Sequence, residues 1–176
     1  MRLMGALSLT DWLVLALLCE QPRHGFAVAR ELAPDNELGS IWTVRRSLVY
    51  RSIDHLLDLG LIEARAVEPG IKGPHRTVME PTRAGRARLH RWIEQPVEHP
   101  RDVRSVLLAK LAVRSRRGLP LAPLAQQQRA VFERVREGIQ AKLSHSEGIA
   151  RLTLQWRAAA NEAIVSFLDD VVADEA

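Results

Sequence analysis

The chain has 176 residues, 47% hydrophobic and 26% charged, which excludes wholesale disorder and allows one generous domain or a small domain with an appended module. Its 25 basic and 21 acidic residues leave a formal charge of +4, a balance that favours an anionic partner without identifying one. The single cysteine, Cys19, excludes an intramolecular disulfide, and its apolar setting in "LALLCEQ" makes it a small core residue rather than a reactive thiol.

In chain order, "SLTDWLVLALLCEQP" starts a helix, with Ser8 three residues before Asp11 in capping-box spacing and Pro22 ending the pattern. This first helix is apolar on nearly all sides and is therefore expected in the core. Its longest apolar run, "WLVLALLC", is eight residues between Asp11 and Glu20, too short to cross a bilayer. A cytoplasmic protein without a membrane partner is the expectation.

"HGFAVARELA" forms a short second helix that "PDNELG" breaks. In "RRSLVYRSIDHLLDLGLI", Val49, Ile53, Leu56 and Leu57 fall on one face of a third helix, while Tyr50, Arg51, Asp54 and Asp58 project elsewhere. Gly60 occupies the position of a left-handed C-terminal cap, and Leu61 is placed to fold back on the last turn.

The period then shortens. "LIEARAVE" and "HRTVME" flank the turn "PGIKGP" and read as a two-stranded hairpin with a basic tip. Thr82 caps a further helix whose Leu89, Trp92 and Ile93 share a face, and Pro96 and Pro100 bound a linker.

The remainder is helical throughout. "RDVRSVLLAKLAVRSRR" places Val103, Val106, Leu107 and Leu111 on one face, the next helix repeats Leu124, Val131, Val135, Ile139 and Leu143, and the last repeats Ile149, Leu152, Trp156, Ala160, Ala163, Phe167 and Val171. Two long apolar seams beyond a compact domain expose more apolar surface than a monomer comfortably keeps, so a homodimer through Ile149, Leu152, Trp156, Ala163 and Phe167 is expected. The fold class is mainly α with a small β-hairpin: a winged helix-turn-helix domain over residues 1–96 and a C-terminal helical dimerisation domain over 97–176.

Three helices followed by a basic hairpin form the order of a DNA reader. The major groove admits one helix held from behind by an apolar scaffold, and that helix's first turn meets phosphates and base edges. Arg45, Arg46, Ser47, Tyr50 and Arg51 are the candidate contacts from the third helix, the arginines serving either guanine reading or phosphate anchoring. Tyr50 either donates its hydroxyl to a phosphate or packs against the second helix. Asp54 and Asp58 indicate that the later turns leave the groove. Lys72, His75 and Arg76 at the wing suit phosphates or the adjacent minor groove. Double-stranded DNA and a second copy of the chain are therefore the expected partners.

In this order and at these separations, "LTDWLVLALLCEQPRHGFAVARELA", "LVYRSIDHLLDLGLIEA" and "GPHRTVMEPTRAGRARL" resemble the PadR family of bacterial winged-helix transcriptional regulators. The matching residues are His24, Gly25 and Phe26; Leu48, Val49 and Tyr50; Gly73, Pro74 and Arg76; and Thr82, Ala84, Gly85 and Arg86. The C-terminal half is similar to the family's branch with a long helical tail. The resemblance implies a homodimer that binds a near-palindromic operator, represses nearby genes and is released by a small-molecule effector, for which Trp12 and Trp156 are candidate aromatic contacts. Ser47-Leu48 departs from the family's Gly-Thr or Gly-Ser, and "TVMEPT" departs from its aromatic wing strand.

No Gly-rich phosphate loop, nucleophile elbow or Cys/His pairing at metal spacing is present, so neither an enzyme, a metal site nor a cofactor is expected. The alternative is a winged-helix adaptor that binds a protein partner and no specific DNA.

Overall fold

The computed structural model describes residues 6–70 and 73–175, with side chains outside 68–75. It divides into two compact units, Met1–Ile93 and Glu94–Ala176.

In the first unit, α1 (Leu9–Glu20) carries the predicted capping box. The amide and hydroxyl of Ser8 both donate to Asp11 Oδ2 at 2.8 Å, and the Asp11 amide donates back to Ser8 Oγ at 3.2 Å. Every residue from Leu13 to Leu18 is essentially out of solvent, as a helix apolar all round requires. Cys19, expected in the core, is only partly buried because it lies at the end of α1, where the packed neighbours thin out.

A two-residue strand, β1 (Arg23–His24), follows, and α2 (Gly25–Glu31) starts immediately after it. His24 caps α2, its Nδ1 accepting the Ala27 amide at 3.1 Å. The segment read as a break contains a short helix, α3 (Glu37–Ile41). It closes tightly on the preceding turn: a Cβ on Gly39 would fall 1.7 Å from the carbonyl oxygen of Ala33.

The predicted third helix is α4 (Arg46–Asp58), with Val49, Ser52, Ile53 and Leu56 buried. It ends as its sequence requires. Gly60 has φ +64°, the Leu61 amide donates to the Leu56 carbonyl at 3.0 Å, and the Gly60 amide donates to that of Leu57 at 2.9 Å, the two bonds of a Schellman cap.

The wing is β2 (Ile62–Gly70) and β3 (Gly73–Pro81), antiparallel, with irregularities between Ala64 and Ala66 and between Glu68 and Gly70. The expected two-stranded hairpin gains a third strand: β1 pairs with β3, Arg23 opposite Met79 and His24 opposite Val78, giving the order β1-β3-β2. A two-residue strand leaves no alternation to detect, and its partner supplies the order. Thr82 then turns the chain into α5 (Arg83–Glu94), accepting the Gly85 amide at 3.1 Å and donating to the Gly60 carbonyl at 2.9 Å.

The second unit opens with a 3-10 turn (Pro100–Asp102) and a π-helical turn (Val103–Leu107) that lead into α6 (Leu108–Arg116), where a single regular helix was expected. Two long helices follow, α7 (Ala122–Leu143) and α8 (Gly148–Ala173). They run antiparallel, tied by Glu175 accepting the Leu121 and Ala122 amides, Arg129 on Asp169 at 2.6 Å, and Asn161 Nδ2 donating to the Phe132 carbonyl at 3.0 Å. Phe132, Leu107, Leu124, Ala125 and Leu168 form the dry centre of this unit. Gln128 is fully buried there and binds both backbone groups of Val97, accepting its amide at 2.7 Å and donating to its carbonyl at 2.8 Å.

Candidate nucleic-acid interface

The aim of α4 is set by what its buried side touches. Val49, Ile53 and Leu56 pack into the first unit's core, Leu57 is half-buried, and the buried Asp11 of α1 anchors the middle of the helix through His55 Nδ1 at 3.2 Å and a hydrogen bond from Ser52. Burial pushes the Asp11 carboxyl up. Hydrogen bonds from Ser52, from the backbone and hydroxyl of Ser8 and from His55 more than offset this and hold it below its ordinary 3.8.

The opposite face of α4 is open. Arg45, Arg46, Ser47, Leu48, Tyr50, Arg51, Asp54 and Asp58 are all exposed. Arg45 is the N-cap residue and no side chain caps it, so the first-turn amides face whatever occupies that end of the helix. Five of the predicted contacts thus share one turn and a half.

Tyr50 packs against the second helix, the structural one of its two predicted roles. A Cβ on Gly25 would fall 2.7 Å from Tyr50 Cε1, so the absence of a side chain at 25 lets the ring lie against the start of α2, yet the residue stays 41% exposed. Leu48, 44% exposed, places an aliphatic group beside the arginines.

From the wing, Arg76 on β3 is exposed and is brought to the same place. The guanidinium of Arg46 lies 4.9 Å from the Phe26 ring centroid and 5.7 Å from that of Tyr50, and the guanidinium of Arg76 lies 5.7 Å from the Phe26 ring. A cleft of about 480 Å³ opens among these groups, bounded also by His24, Asp54 and Thr77. A second cleft of about 660 Å³ lies on the other side of α4, against Ser8, Asp11, Arg51, Ser52 and His55. The backbone of His75 lies in β3, but its side chain falls outside the described residues, as does Lys72 altogether.

The predicted dimerisation residues separate into two groups. Ile149, Leu152 and Trp156 stand 79%, 60% and 72% exposed on the early turns of α8. Phe167 instead packs against its own unit's core, and Ala163 borders a shallow apolar depression with Val103, Leu108, Ile164 and Phe167.

The candidate effector contacts fall in different units. Trp12 is half-buried and stacks on Trp92, with centroids 4.9 Å apart and planes at 9°, and Arg88 lies 5.9 Å from its ring. Trp156 borders a cleft of about 420 Å³ with His99, Pro100, Val135, Ile139 and Arg157. Trp42, just before α4, braces α1 by donating its Nε1 hydrogen to Thr10 Oγ1 at 3.2 Å.

The sequence offered no sign that Phe26 would lie against Arg46 and Arg76, nor of the anchoring of α4 through Asp11, Ser52 and His55. No local signal joins Asp11 to a residue 44 positions away. Among the described residues no three His, Cys, Asp or Glu side chains cluster to hold a metal ion, and no helix is long and apolar enough to cross a membrane.

Residues 14–91 match the profile of the "Transcriptional regulator PadR-like family". A curated relative from Mycobacterium tuberculosis, "Probable transcriptional regulator Rv1176c", is 30% identical over 101 residues, or 57% of this chain and 52% of that protein. The chain thus spans about half the length of the curated relative that it matches. Bacillus subtilis PadR, solved in complex with operator DNA, shares the fold, with a TM-score of 0.50 at 19% identity over 96% of this chain and 99% of its own.

Proposed function

We propose, on the premise that residues 14–91 are a domain of the PadR-like family of transcriptional regulators, that this chain is a sequence-specific DNA-binding regulator. It acts as a cytoplasmic homodimer that represses from a near-palindromic operator and releases it when a small effector binds. The observation that carries the reading is the exposed first turn and a half of α4. Arg45, Arg46, Ser47, Tyr50 and Arg51 stand clear of the core there, while Val49, Ile53 and Leu56 hold the helix from behind.

That arrangement is what insertion into a major groove requires: a rigid apolar back, cationic side chains at the tip, and acidic Asp54 and Asp58 further along, where the helix withdraws. In this reading Lys72, His75 and Arg76 extend the contact along the phosphates from the wing. The dimer uses the exposed Ile149, Leu152 and Trp156, together with Ala163 and the part of Phe167 that its own core leaves uncovered, and two reading helices one helical turn of DNA apart, about 34–36 Å, meet the two half-sites. Effector binding near Trp156 or Trp12 releases the operator only if it favours a spacing of the reading helices that DNA does not accept.

A mobility-shift titration of the unmodified protein and of Arg45→Gln/Arg46→Gln/Arg51→Gln, at several salt concentrations with excess competitor, tests the interface. The triple variant is expected to lose operator binding, and each phosphate contact removed flattens the salt dependence by about one unit of slope. Unchanged binding by the variant would contradict the placement of the interface on α4. An absence of duplex binding by both proteins would favour a protein-binding adaptor.

A further inference from the structure

The reading helix and the wing are separate elements, yet one cation from each lies over the same aromatic ring. Arg46 of α4 is 4.9 Å and Arg76 of β3 is 5.7 Å from the centroid of Phe26, which belongs to neither element and is the second residue of α2. Phe26 is 39% exposed, more than a residue retained only for core packing needs. Its ring is backed by His24, at 6.3 Å between centroids and 24° between planes, and His24 is itself fixed by capping α2. Among the described residues, no ion pair forms at either guanidinium, so two like charges lie against one ring and line the cleft beside it.

From this geometry we infer that Phe26 is a positioning residue for nucleic-acid binding: its ring holds Arg46 and Arg76 in place as a paired cationic site for consecutive backbone phosphates of one DNA strand. The inference rests on the DNA-binding reading above. A free arginine has many rotamers and loses them on binding, whereas a guanidinium already stacked on a ring has surrendered part of that freedom beforehand. The attraction of a cation for the ring face supplies the restraint. Phosphates bound at the two arginines also offset the repulsion between their like charges.

Phe26→Leu removes the π face while keeping apolar bulk, Phe26→Met is a second ring-free variant in case the first does not fold, and Phe26→Tyr restores the face. Binding to the operator duplex is followed by fluorescence anisotropy across a salt series, with thermal melting as the control for folding. The ring-free variants are expected to bind roughly tenfold more weakly. Their salt slope should be shallower by about one to two units, whereas Phe26→Tyr should match the unsubstituted protein. In an Arg46→Gln/Arg76→Gln background the Phe26→Leu change should have no further effect.

An unaltered affinity and salt slope in the folded ring-free variants would overturn the inference while leaving the DNA-binding reading in place. The same holds if Phe26→Leu weakens binding equally with or without the two arginines. If the unsubstituted protein binds no duplex above competitor, the DNA-binding reading itself fails and the role of Phe26 falls with it.

Discussion

Asp11 is a carboxylate only 4% exposed in the core of the first unit, and it fixes both the start of α1 and the middle of α4. Its pKa in the folded protein lies below the ordinary 3.8, because the hydrogen bonds from Ser52, Ser8 and His55 outweigh the opposing effect of burial. A carboxyl depressed in this way stabilises the fold fully above its unfolded pKa, and the stabilisation is lost as pH falls through the depressed folded value. Thermal melts of the unmodified protein and Asp11→Asn should therefore differ most near neutral pH, by about 1–3 kcal/mol for a buried acceptor losing charged hydrogen bonds. The gap should narrow only below the ordinary 3.8, as pH falls through the depressed folded value. A gap that did not narrow at all as pH is lowered from neutral to the acid transition would show that the charge of Asp11 is not what anchors α4. The pairing of Ser8 with Asp11 was legible in the sequence because the partners are three residues apart. Ser52 and His55 were not, because their partner lies a whole helix-turn-helix away.

At the scale of elements, periodicity identified those long enough to have one. The faces of α4, the glycine cap at Gly60 and the Thr82 start of α5 are local patterns, and each occurs where the residues place it. The five-residue α3 and the two-residue β1 are too short to repeat a pattern, and both owe their form to neighbours: α3 to the turn at Ala33, β1 to the backbone of β3. The 3-10 and π turns before α6 were similarly hidden beneath an apolar spacing that fits a regular helix. The packing of α5 is a further tertiary feature. A Cβ on Gly85 would stand 2.0 Å from the carbonyl oxygen of Leu61, a backbone atom that cannot easily yield. Gly85→Ala should destabilise the first unit by about 1–3 kcal/mol, read as an earlier thermal transition, and hydrogen exchange should quicken in α5 and at the base of the wing. Wild-type melting in Gly85→Ala would mean that the chain has slack there.

For the whole molecule, the second unit shows why a dimer surface is easier to suspect than to delimit from sequence. The last helix repeats apolar residues along its length, but its later turns are occupied within the chain: Asn161 bonds to the Phe132 carbonyl, Asp169 pairs with Arg129, and Val165 and Leu168 fill the core. Gln128 and Asn161 are polar residues at fully buried positions: both ends of the Gln128 amide bond backbone groups of Val97, and Asn161 donates Nδ2 to the Phe132 carbonyl while its Oδ1 has no partner among the described residues, pairings no sequence pattern reveals. Among the described residues of α8, Ile149, Leu152 and Trp156 are the large apolar side chains left exposed, so the pairing surface we propose centres on its early turns. A dimer built there would give the DNA interface the two-fold symmetry that a palindromic operator demands.

The most direct test combines both halves of that proposal: titration of the full chain into the duplex upstream of its own gene and into a scrambled duplex of equal length, at a fixed near-physiological salt concentration, with the mass of the complex measured. Two chains should bind one operator duplex, with a preference over the scrambled sequence of about a thousandfold or more. Equal affinity for both duplexes, or no complex with either, would contradict it.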